Sequence, residues 1–360
     1  MQLINYTDRS IRHSITVEQL GYFMENRAVL LANLGSPDDT DVSSVRRYLN
    51  QFLMDPYVIQ LPWPIRRLIV SLFVLPSRPK ASAEAYKSVW LENGSPLIVF
   101  SEQLKKALQQ QIAMPVEIAM RYGQPDIESQ IIKLASQLGI DEILFIPLYP
   151  HFAESTVTTS IEQAKDIIQK HQLNIKLTVV KPFYEDNDYI NALVASAKPY
   201  LDEPYDHIIF SYHGLPEQHI TKLDSSGEHC LKRPDCCQVD HPAHSTCYRH
   251  QIFRTTECFI EKADIKEEDY SIAFQSRLGK AKWLEPNTED KLKELAAAGA
   301  KNVLVICPAF VTDCLETLEE IAIRGQEVFE EAGGNELTLI PCLNTHDTWV
   351  KTLANWCRNP

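Results

Sequence analysis

Three carboxylates follow a short apolar run near the C-terminal end of the chain. Residues 303–307 are Val, Leu, Val, Ile and Cys before Pro308, a composition that predicts a buried parallel strand. Asp313, Glu316 and Glu320 come next, and their i, i+3, i+7 spacing predicts one face of a helix. Like charges at that spacing destabilise a helix, so this carboxylate row indicates a site for a cation. A solvated acidic face is the alternative, but α/β sheets place their ligand clefts directly after such strands.

A histidine follows another predicted strand. His213 lies in the tight turn Ser211-Tyr-His-Gly-Leu-Pro-Glu217, after an apolar β-branched run. A neutral imidazole accepts a proton or binds a metal near pH 7. A histidine beside a strand is more often structural than catalytic. The shared sheet edge with the carboxylate row favours catalysis, and Arg121 and Tyr149 also follow predicted strand ends.

The second half of the chain repeats the first. Three pairs of segments correspond in order: 29–38 with 208–217, 118–123 with 272–279, and the helix before Gly139 with the helix before Gly299. Alternating strands and helices predict parallel sheets flanked by helices, so we expect an α/β protein with two Rossmann-like domains related by internal duplication. The predicted domains are residues 27–172 and 173–345, with a final helix, 346–360, packing back on the first.

The two copies differ where chemistry is expected. His213 corresponds to Leu34, and Glu316 corresponds to the hydroxyl-rich residues 155–158. Ligands of duplicated α/β domains lie in the cleft between the domains, outside the carboxyl ends of the strands. The reactive groups are therefore predicted on the second domain, facing apolar and hydroxyl groups on the first.

Residues 52–76 form an unusual apolar segment. Leu, Ile, Val, Phe and Trp residues are interrupted by prolines at 56, 62, 64 and 76, which exclude one continuous helix. We expect short helices and loops that form an apolar lip, hereafter the lip; a core-covering segment is the alternative. Arg66 and Arg67 beside the apolar residues would suit shallow, peripheral contact with a membrane surface such as the inner membrane.

Composition excludes several classes of function. The 360 residues carry 35 basic and 48 acidic side chains, and the net charge of −13 argues against a nucleic-acid partner. Neither a Walker loop nor a Gly-x-Gly-x-x-Gly motif is present, so no nucleotide cofactor is expected. Residues 1–26 lack the apolar run of a signal peptide, and no run is long enough to span a bilayer. The expected location is the cytoplasm.

A cysteine-rich insertion, residues 224–250, belongs to neither repeat. It contains Cys230, Cys236, Cys237 and Cys247 together with four histidines. Four cysteines so close together indicate a ligand set, but their spacing is not that of a zinc ribbon. Bound zinc, an iron–sulfur cluster and free thiols all remain open.

Three motifs together resemble those of ferrochelatase, the enzyme that inserts ferrous iron into a porphyrin in the last step of protohaem synthesis. They are Ser211-Tyr-His-Gly-Leu-Pro-Glu217, Phe274-Gln-Ser-Arg-Leu-Gly279 with Lys282-Trp-Leu-Glu-Pro286, and Ala309-Phe-Val-Thr-Asp-Cys-Leu-Glu-Thr-Leu318. The resemblance runs from about residue 27 to the C-terminus. It implies chelatase-type domains with protoporphyrin IX in the cleft, Fe²⁺ as the second substrate and a lip that docks on membranes.

The resemblance also implies roles for individual residues. His213 matches the active-site histidine and Glu316 the catalytic acid, on a helix with a π-type irregularity, and both are expected to contact the substrate Fe²⁺. Asp313 and Glu320 would supply the metal or carry protons outward. Cys314 and Arg324 stand where some relatives have a histidine and a further acid, so the carboxylate row is shorter here. The expected porphyrin contacts are Leu34, Arg78, Tyr86, Arg121, Tyr122, Tyr149, Ser155 and Trp283.

Some ferrochelatases carry a [2Fe–2S] cluster, in certain bacterial ones on an internal insertion. The resemblance therefore favours such a cluster on Cys230, Cys236, Cys237 and Cys247, with zinc and unliganded thiols as alternatives. Rival functions are a chelatase for coproporphyrin or a cobalt–corrin precursor, and a non-catalytic haem-binding or metal-chelate-binding protein. The paired His213 and Glu316 favour an enzyme, and the apolar lip favours protoporphyrin over coproporphyrin.

Overall fold

The computed structural model describes residues 26–277, 279 and 281–359. Two four-stranded parallel sheets form the centre of the molecule, with the spatial orders β2-β1-β3-β4 and β6-β5-β7-β8. The same strand order in both halves confirms the predicted duplication. The strands are β1 Arg27–Gly35, β2 Val116–Tyr122, β3 Glu142–Pro147, β4 Lys176–Val179, β5 His207–His213, β6 Tyr270–Gln275, β7 Asn302–Ile306 and β8 Glu336–Leu339.

The helices and helical turns lie on both faces of these sheets. Their bounds are α1 Val42–Leu53, α2 Trp63–Ile69, α3 Arg78–Val89, α4 Pro96–Gln109, α5 Ile127–Ala135, α6 Thr159–Lys170, α7 Asn187–Leu201, α8 Glu217–Thr221, α9 Tyr248–Ala263, α10 Thr288–Ala297, α11 Leu315–Thr317, α12 Arg324–Glu331 and α13 Asp347–Arg358, with π-helical turns at Val70–Val74, Glu154–Thr158 and Leu318–Ile323 and 3-10 turns at Pro242–Ser245 and Glu267–Asp269.

Short polar side chains fix where several helices begin. Asp41, Asp126, Asp186 and Asn287 each accept hydrogen bonds from backbone N–H groups in the first turn of the helix that follows. Those N–H groups have no partner within the helix, so the caps stabilise the helix starts. The caps therefore fix the residue at which the chain turns into each of these helices.

Alternate residues of each strand enter different cores. In β1, Val29 and Leu31 join a cluster that also contains Ile208 and Phe210 of β5, whereas Leu30 joins a separate cluster with α5 and α6. The shared cluster therefore joins residues of both sheets with residues of the helices α4, α7, α9 and α13. This period of two is the expected pattern for strands buried on both faces.

Two predicted domain features can be compared with the structure. Strand β4 pairs with β3, so the first sheet extends beyond the predicted boundary at residue 172, which lies too early. The short connection before β4, residues 171–175, gave no signal of its pairing partner. The last helix, α13, contributes Trp349 and Leu353 to the shared cluster, together with Leu104 and Leu108 of α4 in the first half.

The lip consists of short helices, as predicted. Helix α2 and the π-helical turn after it expose several large apolar side chains. Trp63 is 62% exposed and Phe73 is 72% exposed. None of the helices in the described part of the chain has the length and apolar character needed to cross a membrane. Residues 1–25, which carry most of the segment predicted to lack an export signal, lie outside the described residues.

Candidate active site

A large cavity opens at the carboxyl edges of both sheets. Its volume is about 1150 Å³, and its walls come from both halves of the chain and from the lip. Parallel strands of this kind place ligand clefts at that edge. The cavity is lined by these predicted site residues: Leu34, Arg78, Tyr86, Tyr149, Ser155, His213, Trp283, Glu316 and Glu320.

His213 is the last residue of β5 and is held in one tautomer. Its Nδ1 lies 2.7 Å from the carbonyl oxygen of Gly214, which can only accept, so Nδ1 carries the proton. In the neutral imidazole, Nε2 then keeps its lone pair. The Tyr248 hydroxyl donates to the backbone carbonyl of His213 at 2.9 Å. The turn thus holds the imidazole with Nε2 available as a base.

Glu316 lies in α11, directly before the π-helical turn Leu318–Ile323. The buried amide of Gln275 donates to its backbone carbonyl at 2.7 Å. Burial raises the pKa of the Tyr86 and Tyr48 hydroxyls, and the nearby Glu316 carboxylate raises both further. Glu316 therefore faces neutral phenols, and its carboxylate forms no ion pair with the described residues.

Asp313 does not belong to the carboxylate row, so the predicted single helix face is wrong. It precedes the helix, is almost fully buried and accepts hydrogen bonds from Thr317 Oγ1 at 2.9 Å and Asn344 Nδ2 at 2.7 Å. The residue before α11, Cys314, has extended backbone, which interrupts the assumed helical periodicity. Asp313 organises the start of the helix instead of facing the cavity.

Glu319 is a cavity residue that the spacing argument missed. Residue 319 is three positions after Glu316, so helical spacing already places it beside that carboxylate, but the predicted row of Asp313, Glu316 and Glu320 did not include it. Glu316, Glu319 and Glu320 all line the cavity. Partial burial raises the pKa of the Glu319 carboxyl. The i, i+3 relation to Glu316, together with the π-type irregularity implied by the family resemblance, is the sequence signal for this placement.

Arg121 and Tyr122 are placed elsewhere than predicted. Both lie inside β2, and both donate to Asp55, Arg121 from Nη2 at 2.5 Å and Tyr122 from its hydroxyl at 2.8 Å. Thr159 Oγ1 donates to the same carboxylate at 2.6 Å. Neither Arg121 nor Tyr122 lines the cavity among the described residues. The network ties the beginning of the lip to the first sheet.

The cysteine-rich insertion brings its four thiols together. Cys230, Cys236, Cys237 and Cys247 are all buried, and the sulfurs of Cys236 and Cys237 are 4.0 Å apart. A hydrogen bond with the Cys247 thiol, and then burial, raises the pKa of Cys237. Within the described ranges, no three His, Cys, Asp or Glu side chains have the geometry of a ready metal site. The thiols are neighbours without a preformed coordination geometry.

Three of the four histidines of the insertion are engaged with backbone carbonyls. Nε2 of His229 and Nε2 of His244 both donate to the carbonyl of Cys236, at 2.7 and 2.8 Å. Nδ1 of His250 lies 2.8 Å from the carbonyl of Cys237. Arg249 Nη1 donates to the Cys237 sulfur at 3.1 Å, a contact that stabilises a thiolate. The four thiols, and His241 whose Nδ1 accepts from the Ala243 N–H, are thus the potential metal ligands that are not engaged with a carbonyl.

Comparison with known proteins decides the family. Residues 26–360 match the family model described as Ferrochelatase. The chain belongs to the ferrochelatase family. The ferrochelatase of Ectopseudomonas mendocina is 56% identical over 336 residues, which are 93% of this chain and 98% of that protein. The ferrochelatase of Pseudomonas putida is 55% identical over 337 residues, 93% of this chain and 99% of that protein. Family membership confirms the resemblance carried by the three motifs.

A solved structure supports the fold assignment of this ferrochelatase-family chain. SirB from Bacillus subtilis with Fe³⁺ superposes with a TM-score of 0.51 at 14% identity and covers 92% of this chain and 93% of that one. At that identity the likeness concerns the fold alone. It confirms the predicted chelatase-type architecture.

Proposed function

We propose that this protein is a ferrochelatase that inserts Fe²⁺ into protoporphyrin IX, giving protohaem and two protons in the last step of haem synthesis. The observation that carries the proposal is that His213 and Glu316 open on one large cavity in a ferrochelatase-family chain. A carrier protein needs no base beside its ligand, so the pair favours catalysis over storage.

The residues around the cavity suit metal insertion. A free porphyrin is planar and has two N–H groups at its centre, so the ring must bend and lose two protons while Fe²⁺ enters. Apolar walls such as Leu34 use the binding energy of the large ring to hold it bent. His213 Nε2 is placed to accept a pyrrole proton. The Glu316 carboxylate, which forms no ion pair among the described residues, holds the incoming cation or takes up the second proton.

Anaerobic incubation with Fe²⁺ and protoporphyrin IX tests the activity, with loss of porphyrin fluorescence as the readout. We expect wild-type protein to form protohaem and His213→Ala to retain less than about a tenth of the rate, given typical general-base contributions. Porphyrin binding should persist in that variant because the ring supplies most of the affinity. His171→Ala, at a partly exposed histidine that does not line the cavity, is the matched control.

The outcomes separate the rival functions. Tight binding of haem with no turnover would identify a binding protein, and turnover restricted to Co²⁺ would identify another chelatase. Faster turnover of coproporphyrin would contradict the preference for protoporphyrin that we infer from the apolar lip. Arg78 lines the cavity and forms no ion pair among the described residues, which leaves it free to bind a propionate.

The lip is proposed as a site of peripheral membrane contact for a cytoplasmic protein. Its support is the exposure of Trp63, Leu68, Leu72 and Phe73 next to the cavity entrance. Apolar side chains on a short amphipathic segment insert shallowly at the interface. Flotation of the protein with liposomes, compared with Leu72→Ser plus Phe73→Ser, tests it. Equal flotation of both proteins would contradict this role.

The four insertion cysteines are proposed to hold a [2Fe–2S] cluster, with a structural or regulatory role apart from the insertion site. The ligand set fits by chemistry, because four buried thiols lie together while the imidazoles of His229 and His244 donate to a backbone carbonyl. When bound, such a cluster supplies cross-links between distant parts of the insertion. Porphyrin binding, proton transfer and metal delivery belong to the chain's own residues.

Protein purified without oxygen tests the cluster. We expect a red-brown preparation with about two iron and two sulfide per chain. Cys237→Ser should abolish the colour, whereas Cys258→Ser, at a half-buried thiol in α9 outside the insertion, should keep it. A colourless preparation with about one zinc per chain would contradict the cluster and show that the four cysteines bind zinc instead.

A further inference from the structure

The carboxylate of Glu320 is already fully engaged in the structure. Its Oε1 accepts from the backbone N–H of Ser276 at 2.8 Å, and its Oε2 accepts from the Ser276 hydroxyl. Arg324 Nη2 lies 3.2 Å from the same Oε1. With only 15% of its side chain exposed, Glu320 has little capacity left to coordinate a metal.

Arg324 extends this contact to a third element. Its Nε lies 3.2 Å from Oε1 of Glu289 in the first turn of α10. We call Ser276, Glu289, Glu320 and Arg324 the Glu320 bridge. The bridge joins the end of β6, the start of α10 and the π-helical turn. The Arg324 guanidinium also lines the cavity, and it occupies the carboxylates of both Glu289 and Glu320.

The bridge leads directly to the active-site histidine. Ser276 has a φ of 61°, a strained left-handed conformation that its two hydrogen bonds to the Glu320 carboxylate hold in place. The preceding carbonyl, that of Gln275, accepts from the Gly214 N–H at 2.7 Å. Gly214 in turn supplies the carbonyl that fixes the His213 tautomer. A change at Glu320 therefore reaches His213 through three consecutive contacts.

We propose that Glu320 is a positioning residue, and that the Glu320 bridge holds the His213 turn while iron and protons are handled at the Glu316 end of the row. This inference rests on the proposed ferrochelatase function. It departs from the expectation that Glu320 supplies metal or carries protons outward. The contrast with Glu316 and Glu319 supports it, because neither of those carboxylates forms an ion pair among the described residues.

Two substitutions at Glu320 separate tethering from charge. Glu320→Gln removes the charge, but its amide oxygen still accepts from the Ser276 N–H and its NH₂ can donate to the Ser276 hydroxyl. Glu320→Ala removes both contacts. We expect Glu320→Gln to retain about a third or more of the wild-type kcat and Glu320→Ala to lose about tenfold or more, since small misplacements cost that much. In both, the KM for Fe²⁺ should stay within about twofold.

Arg324→Gln adds an independent measurement. If the outer acids formed a metal route, removing the guanidinium would lower the KM for Fe²⁺; we expect that KM to be unchanged. Should Glu320→Ala fail to fold, Ser276→Gly replaces it, since glycine adopts the left-handed conformation freely while losing the hydroxyl contact. A reduced kcat with an unchanged KM for Fe²⁺ is again expected.

Equal losses in Glu320→Gln and Glu320→Ala, or wild-type kcat in both, would overturn the proposal. A raised KM for Fe²⁺ in Glu320→Gln, or a lowered one in Arg324→Gln, would also overturn it and restore the metal route. These results presuppose a wild-type protein that inserts iron. An inactive wild type would instead reject the proposed function, so the two failures are distinguishable.

Discussion

At His213 a backbone hydrogen bond selects the nitrogen that reacts. Because Gly214 accepts from Nδ1, the lone pair is on Nε2, and this choice depends on main chain that no side-chain substitution removes. Around Glu316 the environment is set by electrostatics, because the pKa values of the neighbouring Tyr48 and Tyr86 are raised and both phenols stay neutral. The site therefore contains one oriented base, and its carboxylates Glu316 and Glu319 have no ion-pair partner among the described residues.

Glu316→Gln should abolish iron insertion, because the amide keeps the shape of the side chain but carries no charge. Glu319→Gln should reduce the rate less, since Glu319 is further along the π-helical turn. We expect a loss of about a hundredfold or more at Glu316 and about tenfold or less at Glu319, with unfolding free energies within about 1 kcal/mol of wild type. Steady-state kinetics and urea unfolding measure both quantities. A larger loss at Glu319 would reverse this ordering.

His151 should make the protein less stable in acid. Burial lowers the pKa of the His151 imidazole to about 3, from its ordinary value of 6.5. Between these values the unfolded chain binds a proton that the folded protein does not, so the unfolding free energy falls as pH drops through this window. The expected loss from pH 8 to pH 5 is about 2 kcal/mol. His151→Gln should remove that part of the pH dependence in urea titrations; parallel curves for the two proteins would contradict it.

Residue types and spacing located His213 and Glu316, but they could not locate Arg121. A cation after a strand suggested a propionate ligand, whereas its actual partner is Asp55, far away along the chain. No local pattern links the two residues. Pairing of this kind depends on how the lip folds back over β2, which a single sequence does not reveal.

At the scale of elements, the π-helical turns reproduce the duplication. Glu154–Thr158 follows β3, and Leu318–Ile323 follows β7, the corresponding strand of the second sheet. Prolines and helix-capping side chains are visible in the sequence, and they predicted where strands and helices begin and end. The extended backbone of Cys314 before α11 and the extra residue of the π-turn leave no such mark in the sequence. The predicted carboxylate row was therefore wrong for Asp313, and it left out Glu319 although that residue is three positions after Glu316.

Asp55 should be essential for attaching the lip. Asp55→Ala leaves the Arg121 guanidinium, whose side chain is only 16% exposed, without its carboxylate. We expect a loss of about 3–5 kcal/mol of unfolding free energy, as for other broken buried ion pairs. Asp38→Ala is the matched control, since its side chain is 56% exposed and its contact with Arg47 is 3.8 Å, and it should cost less than about 1 kcal/mol. Similar losses in the two variants would refute this role.

At the scale of the whole molecule, the two halves share one core. Val29 and Leu31 of the first sheet and Ile208 and Phe210 of the second belong to the same cluster, while each sheet keeps a separate core on its other face. The repeat predicted the two sheets and their identical order. It could not predict which face of each sheet joins the shared cluster, because strands buried on both sides are apolar at every position.

Helix α13 closes this shared core, so its central tryptophan should stabilise both halves together. Trp349 is fully buried and packs on Phe183, Tyr189 and Trp356. Trp349→Ala should lower the unfolding free energy by about 3–5 kcal/mol, the usual cost of a large cavity. Because the cluster spans both sheets, circular dichroism and porphyrin binding should be lost in one urea transition at a lower midpoint.

The exposed Trp63 of the lip provides the matched control for that experiment. It is 62% exposed, so Trp63→Ala removes the same side chain without opening a cavity and should change the unfolding free energy by less than about 1 kcal/mol. Two separate transitions in Trp349→Ala, with the first sheet still folded after the second has unfolded, would show that the halves are independent. A single shifted transition is expected instead, because α13 contacts α4 of the first half through the shared cluster and cannot detach from one sheet alone.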